Sequence, residues 1–186
     1  MPNRGLALFA ATLLCLSLLT GAPTLAYTIK SAEIIGSYDP SEAGSGSRRG
    51  RDLPAIVLGN PFPVAPEVTA QAISQGMRAG RPGPAMSFAE AANAPQRVVW
   101  QLSGGTRTGN AICDRRWPIP PAGPGAGNGN VVATYCRGDS AMTQVYASID
   151  GIADPRDPQF VQFINQITTN LFPFRNPDMN GDRWRR

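Results

Sequence analysis

Residues 131–172, VVATYCRGDSAMTQVYASIDGIADPRDPQFVQFINQITTNLF, restrict the fold more than any other stretch of the chain. Thr143, Val145, Ala147 and Ile149 fall on one side of an extended strand, with Gln144, Tyr146 and Ser148 on the other. A second apolar run over 131–136 precedes it, and residues 137–142 between them are turn-forming, so the two runs read as a hairpin. Beyond it Asp157 is placed to cap a helix with Pro158 at its first position. Phe160, Ile164, Ile167 and Leu171 then recur at four-three-four spacing with Phe163 alongside, which predicts a helix over 158–172 with one apolar face. A hairpin and one helix cannot bury these faces alone, so the rest of the chain must supply more sheet.

It has the elements to do so. Residues 27–37 and 53–58 read as strands rich in aliphatic residues. Pro66 and Glu67 suit the first turn of a helix over 66–79, whose stripe is Val68, Ala72, Ile73 and Met77, and Gly80 with Pro82 ends it. In 97–102 the residues Val98, Trp100 and Leu102 share one side of a strand expected to be half-buried. The expected fold is therefore α+β, a single small domain over 27–175. It has a mainly antiparallel sheet of four or five strands and two helices packed on one face. Gly 20 and Pro 18 make up about a fifth of the 186 residues. They concentrate in loops, chiefly a Pro/Gly-rich insertion at 114–130 that is too poor in apolar residues to order itself. Residues 176–186 read as a disordered basic tail.

The first 26 residues bear on compartment. Arg4 precedes an uncharged apolar run over 6–19, and Thr24-Leu25-Ala26 is a small-x-small cleavage site, so a secretory signal cut before Tyr27 is expected. The run is shorter than the roughly 20 apolar residues of a membrane span. Cys15 is preceded by Leu14 and sits inside that run, which argues against acylation. Loss of the leader removes one of 17 basic residues and none of the 13 acidic ones, leaving a net charge of +3. It also leaves two cysteines, Cys113 and Cys136. An even pair in an exported chain predicts a disulfide, closing a loop of about 24 residues and worth roughly 3 kcal/mol. A close Cys-x-x-Cys spacing, which a redox role prefers, is missing.

The chain contains no histidine. That excludes Ser-His-Asp and Cys-His catalysis and a histidine-ligated metal, each of which needs an imidazole. A general base would have to be a carboxylate with a raised pKa, the single lysine, Lys30, or the α-amino group. Asp150, Asp154 and Asp157 crowd the connection into the last helix, and Asp39, Glu42 and Asp52 flank the first loop. A glycosidase-like pair needs two carboxyls about 5–10 Å apart on opposed elements. The Asp-Pro steps read more simply as turn and cap signals. Asp178, Asn180 and Asp182 resemble the opening of a calcium loop, but Arg183 holds the place of its glycine and the twelfth-position glutamate is missing. No catalytic, cofactor or metal residue is assigned.

Arg137-Gly138-Asp139 spells the tripeptide that integrins recognise, at the expected hairpin turn, where Gly-Asp is also ordinary turn chemistry. Arginines gather at Arg48, Arg49 and Arg51, at Arg115 and Arg116 beside Trp117, and at Arg183, Arg185 and Arg186 around Trp184. Lipid phosphates or acidic wall polymers suit an exported chain better than nucleic acid does. The sequence favours a periplasmic or secreted bacterial protein that is non-enzymatic: a binding or accessory domain of the cell envelope. Its expected partner is an envelope protein or an anionic envelope polymer, with no nucleic acid and no stable membrane span after cleavage. The alternatives are a carboxylate-dependent hydrolase and a host-facing adhesin using the Arg-Gly-Asp turn.

Overall fold

The computed structural model describes residues 27–41, 53–80, 94–102, 108–114 and 129–175. The leader and the tail expected above lie outside them, as do Glu42, Asp52, the three arginine clusters, the calcium-loop-like 178–182 and the 115–128 part of the insertion, whose last two residues, Gly129 and Asn130, instead open a strand by pairing with Ile149 and Ser148. The elements run β1 (Tyr27–Ile34), β2 (Ala55–Leu58), α1 (Pro66–Gly80), β3 (Gln96–Leu102), α2 (Asn110–Cys113), β4 (Gly129–Arg137), β5 (Ser140–Ile149) and α3 (Pro158–Leu171).

The strands form one five-stranded sheet in the order β1-β5-β4-β3-β2. The pairings β1–β5, β5–β4 and β4–β3 are antiparallel, and β2 joins β3 in parallel through the crossover helix α1. The sheet is thus mixed and mainly antiparallel, as an α+β domain should be. The expected order of strand, strand, helix, three strands and helix is present, with α2 as an addition. Parallel pairing of β2 follows from chain length, because a helix-long connection returns the chain to the same end of the sheet.

One face of the sheet carries the main core. Val98, Trp100 and Leu102 of β3 register with Tyr135, Ala133 and Val131 of β4, and these in turn with Thr143, Val145 and Ala147 of β5. Phe160, Phe163, Ile164, Ile167 and Leu171 of α3 are fully buried in the same cluster, and α1 adds Ala72, Ile73 and Met77. Aromatic contacts join the layers: Tyr27 to Phe163 and Phe62 to Phe160, each with ring centroids 5.1 Å apart. Both long helices therefore serve one face. They touch closely at Gly76, where a side-chain carbon would lie 2.6 Å from Ile164 Cβ.

The start of α3 follows from its sequence. Asp157 accepts a hydrogen bond from the Gln159 backbone N–H at 2.8 Å, and Pro158 takes the first helical position, where no N–H is needed. The hairpin is tighter than the expected 137–142 turn. Only Gly138 and Asp139 stand between the strands, and Gly138 adopts φ +59°, a conformation that glycine reaches without a Cβ penalty. Residues 140–142 extend β5 because Ala141 and Met142 are both buried, on opposite faces.

Candidate functional site

The second face of the sheet holds the least expected chemistry. Alternation sends Arg97, Val99 and Gln101 of β3 to this side, with Val132, Thr134 and Cys136 of β4 and Gln144 and Tyr146 of β5. A strand with arginine and glutamine at alternate positions reads as half-solvated. Here Arg97, Gln101, Thr134 and Gln144 are all buried, so β3 is covered on both faces.

The cover is α2. Ile112 and Cys113 pack with Leu58, Val99, Val132, Cys136 and Ala141 into a second, smaller apolar cluster. The Cys113–Cys136 disulfide, expected from the sequence, lies within it, with both residues wholly buried. Polar groups complete the attachment. The Gly109 backbone N–H donates to Gln144 Oε1 at 2.9 Å, and Gln144 Nε2 donates to Thr134 Oγ1 at 2.9 Å. The Tyr146 hydroxyl donates to Gln144 Oε1 at 3.0 Å, and the Ala141 N–H donates to Asn110 Oδ1 at 2.8 Å. Gln144 thus ties the segment before α2 to the middle of the sheet.

Arg97 is the buried cation of this region. Its guanidinium donates to the carbonyl of Cys113, to that of Gly138 at 2.9 Å and to that of Ala94 at 3.2 Å, and lies 3.9 Å from Asp139 Oδ1. One side chain therefore holds the end of α2, the hairpin turn and the entry to β3. A planar guanidinium with several fixed donors suits a site made of separate carbonyls. Only an arginine near the start of a strand that also holds Val98, Val99, Trp100 and Leu102 hinted at this in the sequence.

That arrangement bears on the Arg-Gly-Asp turn. Gly138 and Asp139 form the two-residue hairpin turn, and Arg137 is the last residue of β4 before it. Arg137 donates to Ser37 Oγ at 3.0 Å, the Gly138 N–H donates to Pro95 O at 2.7 Å, and Asp139 faces Arg97. The arginine and the carboxylate are both engaged within the chain, and the turn is braced from both sides.

Three of the described carboxylates are engaged by near neighbours in sequence. Asp157 caps α3, and Asp39 accepts from the backbone and hydroxyl of Ser41 at 2.8 and 2.7 Å. Asp154 accepts from the Arg156 backbone N–H at 2.8 Å and from its Nε at 3.0 Å. Those bonds, the backbone one first, hold the Asp154 carboxyl below its ordinary value, opposite to the shift a general acid needs. A groove along the outward side of α1 contains one acid, Glu67, and one base, Arg78. Eleven residues of helix separate them by about 16 Å, too far to act on one bond. Among the described residues no group of three metal-ligating side chains gathers, and no helix is long and apolar enough to cross a membrane.

No family model matches the sequence, and no curated protein matches it. Two solved structures from Paraburkholderia phytofirmans, both of the PelC dodecamer, show a distant likeness to this chain. A single-residue variant is 14% identical, covering 78% of this chain and 96% of its own, with a TM-score of 0.37. A second crystal form is 11% identical, covering 78% and 94%, with a TM-score of 0.38. A likeness at that level carries no argument about this chain.

Proposed function

We propose that this chain is an exported, non-enzymatic accessory domain of the bacterial cell envelope that works by binding. The observation that carries the reading is the Cys113–Cys136 bond, fully buried between β4 and α2. Such a bond persists in oxidising compartments, and it belongs to a chain that opens with a leader-like segment. The absence of histidine and the local use of Asp39, Asp154 and Asp157 support binding over hydrolysis. An envelope protein or an anionic envelope polymer is the partner class that suits an exported chain of net charge +3.

Expression with the native leader, followed by fractionation and N-terminal sequencing, tests the reading. The mature protein should leave the cytosol, begin at Tyr27 and weigh two hydrogens less than its reduced form. Retention in the cytosol from Met1 with Cys113 and Cys136 as free thiols would sink it. Capture from the envelope fraction with the mature chain as bait then identifies the partner.

A further inference from the structure

The sheet ends on one side at β1, which among the described strands pairs with β5 alone. Thr28, Lys30, Ala32 and Glu33 are exposed along it. Ala32 belongs to the core side of the strand, opposite Val145, and is exposed, so none of the described helices covers that position.

Residues 29–34 read Ile-Lys-Ser-Ala-Glu-Ile, a sequence whose chemistry is symmetric about its centre. A second copy laid antiparallel, with a two-fold axis between Ser31 and Ala32, would set Ile29 against Ile34, Lys30 against Glu33, and Ser31 against Ala32. Each contact occurs twice. Opposed residues in an antiparallel pair must point to the same side of the sheet. Ile29 and Ile34 both face the helices, since their partners in β5 are Ala147 and Thr143. Lys30 and Glu33 both face away: Lys30 reaches Asn130 Oδ1, and Glu33 stands opposite Gln144. Only the central pair is mismatched. It falls on the two smallest side chains, next to the bulge between Ile29 and Ser31, where local twist can absorb it.

The charges are available for such a contact. Lys30 Nζ bonds the neutral amide of Asn130 at 2.6 Å, and Glu33 accepts from the neutral hydroxyl of Ser31 at 3.2 Å. Among the described residues neither is in an ion pair. One step further along the same register, Ile35, one of two exposed large apolar side chains among the described residues, comes opposite Thr28.

We propose that β1 pairs antiparallel with β1 of a second copy of this chain, joining two five-stranded sheets into one about a two-fold axis. The contact is isologous, so it closes at the dimer. A bulge and a lysine on an edge strand normally deter indiscriminate strand addition. Here they exclude a strand that has no carboxylate opposite Lys30, and an identical strand supplies one. The inference goes beyond the accessory-domain reading and stands or falls separately from it.

Sedimentation velocity on the exported, unreduced protein over a concentration series tests it. The native chain should show a monomer–dimer equilibrium. Lys30→Glu alone, or Glu33→Lys alone, turns both ion pairs into like-charge contacts and should weaken the dimer by about tenfold or more. An equimolar mixture of the two variants sets a strand with two carboxylates against one with two ammoniums, and should restore association to at least the native level. Asn130→Ala removes the intrachain bond without altering charge and should leave the dimer unchanged. Glu33→Lys carries the same prediction by itself if Lys30→Glu fails to fold. A native chain that stays monomeric, a dimer indifferent to charge reversal, or a mixture no stronger than its components would each overturn the proposal.

Discussion

Gly76 sits where the two long helices come closest, and replacing it with alanine sets two effects of opposite sign against each other. In an isolated helix the substitution would stabilise by about 0.5–1 kcal/mol, because glycine loses more backbone freedom on folding. In this fold the added carbon would lie 2.6 Å from Ile164 Cβ, 2.8 Å from Ile164 Cγ2 and 2.8 Å from the Val161 carbonyl oxygen. Comfortable carbon contacts are about 3.5–4.0 Å, so α1 would have to move by roughly 1 Å. Neither obstacle yields easily: one is backbone, and the other is a β-branched side chain with a single preferred rotamer in a helix. Overpacking of this kind costs about 1–3 kcal/mol, which exceeds the propensity gain. We expect Gly76→Ala to destabilise by about 1–2 kcal/mol and to lower Tm by several degrees for a domain of this size. Urea titration of the unreduced protein measures it, with the m-value held constant as the sign that only stability has changed. A midpoint equal to or above that of the native chain would mean that the helices are not in contact at Gly76, and the packing of α1 on α3 would have to be redrawn.

Arg97→Met should cost about 3 kcal/mol or more in the same titration, because three carbonyls lose a buried donor at once; Arg97→Lys should recover only part of the loss. The paired Cys113→Ser and Cys136→Ser variant should lose roughly 3 kcal/mol, read as a shift of the urea midpoint that dithiothreitol reproduces in the native chain. Asp157→Ala removes the cap of α3 and should cost about 1 kcal/mol, whereas Asp157→Asn, which keeps an acceptor, should cost less. Asp154 should titrate below the ordinary aspartate range in a carboxyl-carbon NMR experiment. Because its folded pKa is depressed, its stabilising contribution is present above the unfolded pKa and fades as pH falls through the folded value. Arg156→Ala, which leaves the backbone bond but removes the guanidinium, should move the titration part of the way back.

The main core was legible because it obeys two simple periods. Phe160, Ile164, Ile167 and Leu171 repeat at helical spacing, and Val98, Trp100 and Leu102 alternate, and all seven are buried in one cluster. The Asp157-Pro158 helix start was legible for the same reason, since capping is a local interaction between neighbours in sequence. The turn boundaries were not, because Ser140, Ala141 and Met142 carry no alternation to separate strand from turn. The direction of β2 was hidden as well: a four-residue apolar strand states only that it is buried, not which neighbour it pairs with. The second face was misjudged for a physical reason. Arg97, Gln101, Thr134 and Gln144 have the polarity of a solvated surface, and only the three-dimensional return of residues 109–113 covers them.

That return also explains why so short a helix is ordered. Four residues fall far below the length at which a helix supports itself in water. Arg97 and Cys136 are register partners on neighbouring strands, and both reach residue 113, one through its carbonyl and the other through its sulfur. The disulfide limits how far Cys113 can move from β4, and the guanidinium then needs only to orient the carbonyl. Without the disulfide Arg97 must hold a freely moving segment, and without Arg97 the disulfide leaves buried carbonyls lacking a donor. The two losses should therefore be non-additive, with a coupling of about 0.5–3 kcal/mol in a double-mutant cycle between Arg97→Met and the paired serine variant. Additive losses would mean that residue 113 is held by two independent contacts. Coupled losses would show that the outer face of β3 and β4 is committed to the fold, whereas the edge of β1 is paired on one side only among the described strands and is open to a partner.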